Sequence, residues 1–130
     1  MSSKYIRDFA RGLTPRLTTP YYDTINSDVS PTEDLWFTLT FDAYSKQVDT
    51  YCRSTVEYGV INLIFFGNPG IGDGVILTAA EADATIFYNQ SDTSGRLVFI
   101  NRSPPEELIS NDGSPDYVVS VSIEYEFYST

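Results

Sequence analysis

Val60-Ile61-Asn62-Leu63-Ile64-Phe65-Phe66, then Gly67-Asn68-Pro69-Gly70-Ile71-Gly72-Asp73-Gly74, then Val75 to Tyr88: this stretch decides the fold. The first run reads as a strand with apolar residues on both of its faces, the pattern of a central strand. The glycines at first resemble a phosphate-binding loop. No Lys-Ser/Thr pair follows them, and Val75, Ile76 and Leu77 can neither reach a phosphate nor hold magnesium. The loop is instead a turn between two packed elements, where glycine allows a sharp change of direction. It leads into a helix over 74–89. There Val75, Ala79, Ala82 and Ile86 form one stripe, widened by Leu77, Ala80, Ala84 and Phe87, with Glu81 and Asp83 toward solvent.

Upstream, the central strand extends back to Thr55. Gly59 sits within it as a bulge or a point of close approach. Leu35, Phe37, Leu39 and Phe41 alternate with Trp36, Thr38 and Thr40, which defines a second strand with one core face. Trp36 lies on the other face and needs a second layer or a neighbour to cover it. Residues 42–53 read as a long polar hairpin connection inside a 35–66 hairpin. An N-terminal helix within residues 1–17 presents Ile6, Phe9 and Leu13 on one side and Lys4, Arg7 and Arg11 on the other. Downstream, a short strand over 96–101 is broken by Pro104-Pro105-Glu106-Glu107. Tyr117 to Tyr128 alternates so regularly that a helix is excluded there. The expected fold is α+β: a single domain with a mostly antiparallel four- to five-stranded sheet and two helices packed on one face.

The chain has 130 residues, a net charge of −10, one cysteine and no histidine. Ten Tyr and eight Phe argue for a folded core. The absence of histidine removes the usual general base and the commonest metal ligand. No apolar run approaches the roughly 20 residues that span a bilayer. No apolar signal segment follows Met1, so a cytoplasmic site of synthesis is expected. Lys4, Arg7, Arg11 and Arg16 oppose only Asp8 in the first sixteen residues, which favours docking on acidic protein over a nucleic-acid track.

Taken in order, the features resemble the tail terminator (tail completion) proteins of long-tailed bacteriophages. The likeness rests on the short first helix, Pro20-Tyr21-Tyr22, the Leu35 to Phe41 strand and Arg53 with Glu57-Tyr58-Gly59-Val60. Gly70-Ile71-Gly72, Ala79-Ala80-Glu81-Ala82-Asp83 and the closing Ser120 to Tyr128 strand continue it. It runs over nearly the whole chain and lies in the order of these features, each of them weak alone. The resemblance implies a virion protein of the tail or neck, assembled in the bacterial cytoplasm. Such a protein forms a ring, usually a hexamer, that caps the tail tube protein and ends its polymerisation. It then meets the head-completion or connector protein, and DNA passes through its lumen without specific binding. No catalytic residue, cofactor or membrane is implied. The acidic excursion over 104–116 departs from the pattern. A neck or adaptor protein of a short-tailed phage remains the alternative, followed by a small carboxylate-based enzyme or metal-binding protein.

On this reading Asp42, Tyr44, Lys46, Gln47 and Asp49 form a loop facing tube or lumen, with Glu57, Asp92 and Asp112 as further acidic lumen groups. Lys4, Arg7, Arg11, Trp36, Tyr51 and Tyr128 form a subunit or docking interface. Asp73, Glu81 and Asp83 are weighed as a cation site against a simple helix cap, and the cap is favoured. Glu106, Glu107, Asp112 and Asp116 read as solvated loop carboxylates rather than a glycosidase pair. Cys52 beside Arg53 reads as an inert thiol.

Overall fold

The computed structural model describes residues 4–23, 34–48, 55–67, 73–90, 95–108 and 117–129. In chain order the elements are α1 (Lys4–Leu13), a 3-10 turn (Thr14–Arg16), β1 (Leu35–Val48), β2 (Thr55–Gly67), α2 (Asp73–Tyr88), β3 (Leu97–Arg102), β4 (Glu106–Leu108) and β5 (Tyr117–Ser129). Their sheet runs β1-β2-β5-β3, with β4 also on β5, and every strand pair is antiparallel. The two helices pack on one face of this sheet, the α+β domain expected from the chain pattern.

The core follows the strand alternation. Phe37, Leu39 and Phe41 of β1, Ile61, Leu63 and Phe65 of β2, and Val119, Val121, Ile123, Tyr125 and Phe127 of β5 point to the helix face and are buried. Ile6, Ala10 and Leu13 of α1 and Ile76, Ala80, Ala84 and Phe87 of α2 close over them. Alanine at 80 and 84 lets α2 approach the sheet closely, because a small side chain brings the backbone nearer its neighbour. Aromatic pairs bind the layers together: Tyr5 lies 4.9 Å from Phe127, and Phe87 lies 5.4 Å from Phe99.

Four sequence expectations are corrected. First, residues 42–48 are strand rather than loop. β1 pairs with β2 from Leu35↔Gly67 to Val48↔Thr55, with a bulge between Ala43 and Ser45 that leaves Tyr44 unpaired. Second, β2 is central in the sheet but its second face is only partly covered: Val60 is buried, whereas Asn62, Ile64 and Phe66 are half-buried. Third, Pro104-Pro105 interrupts the edge without ending it, because Glu106–Leu108 returns to pair with Ser120, Val119 and Val118.

The fourth correction concerns the phase of α2. Its buried stripe is Ile76, Ala80, Asp83, Ala84 and Phe87, while Val75 is 54% exposed and Ala82 is exposed. Asp83, expected in solvent, is fully buried. Its Oδ1 accepts from the Thr18 amide at 3.0 Å and the Thr18 hydroxyl at 2.7 Å, and its Oδ2 accepts from the Thr19 amide at 3.2 Å. A buried carboxylate is tolerable when it is hydrogen-bonded in this way. The clamp ties the segment after α1 to α2. Beyond it, Pro20 and Tyr22 bond the Phe37 backbone, forming a short parallel bridge along β1.

Candidate interaction surface on the open sheet face

The face of the sheet opposite the helices carries Trp36, Thr38, Thr40 and Asp42 from β1, and Val56, Tyr58, Val60, Asn62, Ile64 and Phe66 from β2. Their neighbours in register are Val118, Ser120, Ser122, Glu124, Glu126 and Tyr128 from β5 and Val98 from β3. Among the described residues no helix or second sheet covers it. Val98, Ile100 and Tyr128 are 42%, 44% and 40% exposed, high values for large apolar groups in a sheet.

A polar line divides this face. The Asn62 amide donates to Asp42 Oδ2 at 3.2 Å, and the Ser122 hydroxyl donates to Asn62 Oδ1 at 2.7 Å. Ser103 Oγ at the sheet edge then accepts from the Ser122 amide at 2.9 Å. On one side lies an apolar patch in which Trp36 stacks on Phe66 at 4.3 Å and 12° and meets the edge of Tyr22 at 5.9 Å. Ile64 and Val118 adjoin it, both half-buried. On the other side lies a mixed patch of Tyr58, Val98, Ile100 and Tyr128 with Glu124 and Glu126. Here the Tyr128 hydroxyl donates to Glu126, and that bond to the carboxylate is the main reason its pKa is raised.

The residues expected at an interface divide accordingly. Trp36, Tyr128 and Asp42 lie on the open face. Lys46 and Gln47 lie in β1 opposite Glu57 and Val56, in a paired strand rather than a loop. The side chains of Tyr44, Lys46 and Gln47 lie outside the described residues, as do Asp49, Tyr51, Cys52, Arg53, Asp92, Asp112 and Asp116. Lys4 is exposed and pairs with Asp8. Arg7 and Arg11 are not the free docking face that was expected. Both guanidinium groups lie over the Phe41 ring, at 4.9 and 5.7 Å. Arg11 also lies 3.3 Å from Asp23, off a hydrogen-bond line, and bonds the Tyr21 side chain.

Glu57, taken as an acidic lumen group, is instead buried on the helix face and accepts from the Tyr125 hydroxyl at 2.8 Å. Burial, and then this bond to a carboxylate, push the Tyr125 phenol far up from its ordinary value. The close approach at Gly59 is real. A Cβ there would lie 2.5 Å from both the Asp42 carbonyl oxygen and the Tyr125 hydroxyl, so only glycine lets Tyr125 reach across to Glu57.

Asp83 and Glu81 do not converge on a cation, since one is buried against Thr18 and the other is exposed on α2. Glu106 is exposed on β4. Among the described residues no group of three or more His, Cys, Asp or Glu side chains is placed to hold a metal ion, and no helix is long and apolar enough to cross a membrane.

The chain matches no known protein-family model, and no characterised protein matches its sequence at a significant level.

Proposed function

We propose that the chain is a structural subunit that works by assembly, in the role of a phage tail terminator: a ring that caps the tail tube and meets the head connector. The observation that carries this reading is the open sheet face. Two helices cover one side of the sheet, and the other presents an apolar patch, the Trp36–Phe66 stack with the half-buried Ile64 and Val118 beside it. Apolar groups gathered on one face of a small domain mark an interaction surface. A head-to-tail contact between copies closes into a ring when its rotation divides the circle. The ordered motif set of the sequence supports the tail-terminator role in particular. The net charge of −10 suits a channel that DNA must traverse without adhering.

The test mixes purified protein with tail tubes and follows assembly by light scattering and negative-stain microscopy. Rings on tube ends are expected. The chain has a single tryptophan, so burial of half-exposed Trp36 should shift its emission to the blue as rings close. Protein that stays monomeric both alone and on tube ends refutes the reading.

A further inference from the structure

We propose that the pit on the open face walled by Tyr58, Gly59, Ile100, Glu124 and Tyr125 receives a lysine or arginine side chain from a basic extended segment of a different protein. The pit holds about 170 Å³, room for one long side chain. Its lining residues include Tyr58, the exposed Ile100 and one acidic residue, Glu124, which is itself exposed. A long cationic side chain matches that combination. Its alkyl stem covers Ile100, its charge meets Glu124, and the Tyr58 ring attracts the cation through its quadrupole. A purely apolar side chain would strip water from Glu124 without replacing it.

The charge around the pit selects the partner. Glu126 lies opposite Tyr58 in the sheet, and Asp42 shares the row of Glu124 through Val60. The cations with described side chains each have a partner elsewhere. Lys4 is held by Asp8, Arg7 and Arg11 by Phe41, Arg16 by Gln90, Arg96 by the Tyr5 and Phe127 rings, and Arg102 by Thr85. A second copy brings the same net charge of −10 and few uncommitted cations, so the complementary surface belongs to a basic protein of another kind. This inference rests on the open face rather than on the ring, and it is tested on the isolated protein, so its failure leaves the ring reading standing.

The experiment titrates isotope-labelled protein with N-acetyl-arginine amide, N-acetyl-lysine amide and the neutral N-acetyl-norleucine amide, following backbone amide shifts by NMR. The two cations should produce saturable shifts clustered at Tyr58, Gly59, Ile100, Glu124 and Tyr125, and norleucine should bind several-fold more weakly. Glu124→Gln and Tyr58→Leu should each weaken the cations by about threefold to fivefold, the scale of one partly exposed charge pair or one cation–π contact. The spectrum away from the pit shows whether each variant is folded. Equal binding of norleucine, unchanged binding in Glu124→Gln, or shifts of equal size at remote carboxylates such as Asp8 and Glu81 would each overturn the proposal.

Discussion

Asp83→Ala removes the carboxylate that accepts from three donors, two of them the backbone amides of Thr18 and Thr19. Thr19 is 5% exposed, so water cannot readily replace the lost oxygen there. Each hydrogen bond to a charged acceptor contributes about 1.5–3 kcal/mol, and an amide left buried and unsatisfied costs about 1–3 kcal/mol. Counting one fully buried amide, one part-buried amide and a hydroxyl that can turn elsewhere gives a loss of about 3–5 kcal/mol. Alanine returns roughly 0.5 kcal/mol through its better helix propensity. The net expectation is a destabilisation of about 3–4 kcal/mol, a large share of the roughly 5–15 kcal/mol that holds a domain of this kind. Asp83→Asn should cost less, about 2 kcal/mol, because one oxygen still serves Thr18 while the amide nitrogen faces the Thr19 N–H. Urea unfolding followed by Trp36 fluorescence measures both, with an unchanged denaturant slope as the check on two-state behaviour. A loss below about 1 kcal/mol for Asp83→Ala would show that the clamp does not hold the segment after α1, and the reasoning would fail.

Gly59→Ala should destabilise the fold by about 2 kcal/mol, since the new methyl must displace either Tyr125 or the β1 backbone; a thermal midpoint equal to wild type would contradict the close approach. Tyr125→Phe removes one donor to the buried Glu57 and should cost about 1–2 kcal/mol near neutral pH. Tyr125 also sets a pH dependence: its pKa is raised in the fold above the ordinary value of 10.0, so its contribution is complete below about pH 10. Above that the unfolded chain releases the proton while the folded chain keeps it, and stability falls as pH rises. Denaturant midpoints at pH 8 and pH 11 should therefore converge more closely in Tyr125→Phe than in wild type, and an equal fall in both refutes the assignment. Arg11→Met should lose about 1 kcal/mol through the Phe41 ring and Asp23 contacts, readable in the urea midpoint; no change would return Arg11 to the role of a free surface cation.

The strand alternation at Phe37-Leu39-Phe41 and Tyr117 to Tyr128, and the stripe of Ile6 and Leu13 in α1, were legible because each repeats over enough residues to define a face. Gly59 was legible as a close approach, although not the Tyr125–Glu57 bond that requires it. The phase of α2 was not. Val75-Ala79-Ala82-Ile86 and Ile76-Ala80-Ala84-Phe87 are nearly equal apolar stripes, and an aspartate seemed to mark the wet side. Asp83 is buried because its partners, Thr18 and Thr19, lie 65 and 64 residues away in the chain, beyond any local pattern. The polar run Ser45-Lys46-Gln47 hid the second half of β1, whose pairing is imposed by the register of β2 across a bulge. β4 was hidden behind two prolines, since three residues carry too little periodicity to declare a strand. At the candidate surface Trp36 and Tyr128 were visible as spare aromatics. Arg7 and Arg11 looked free because Phe41, which holds them, belongs to a distant strand.

β5 comes last in chain order yet lies inside the sheet, with β2 on one side and β3 and β4 on the other. While a ribosome is still making residues 117–129, the described chain has one hairpin, β1–β2, and an edge pair, β3 and β4, whose only strand partner is β5. Folding during synthesis must therefore wait, because the step that joins the two halves spans a large sequence separation and cannot be taken early. The growing chain exposes the edge of β2, with its apolar run Val60 to Phe66, throughout that delay. Yield in the cell then depends on the interval between synthesis of β2 and synthesis of β5 as much as on the stability of the finished domain. Synonymous codons that slow translation between residues 67 and 117 would lower it without altering a single side chain.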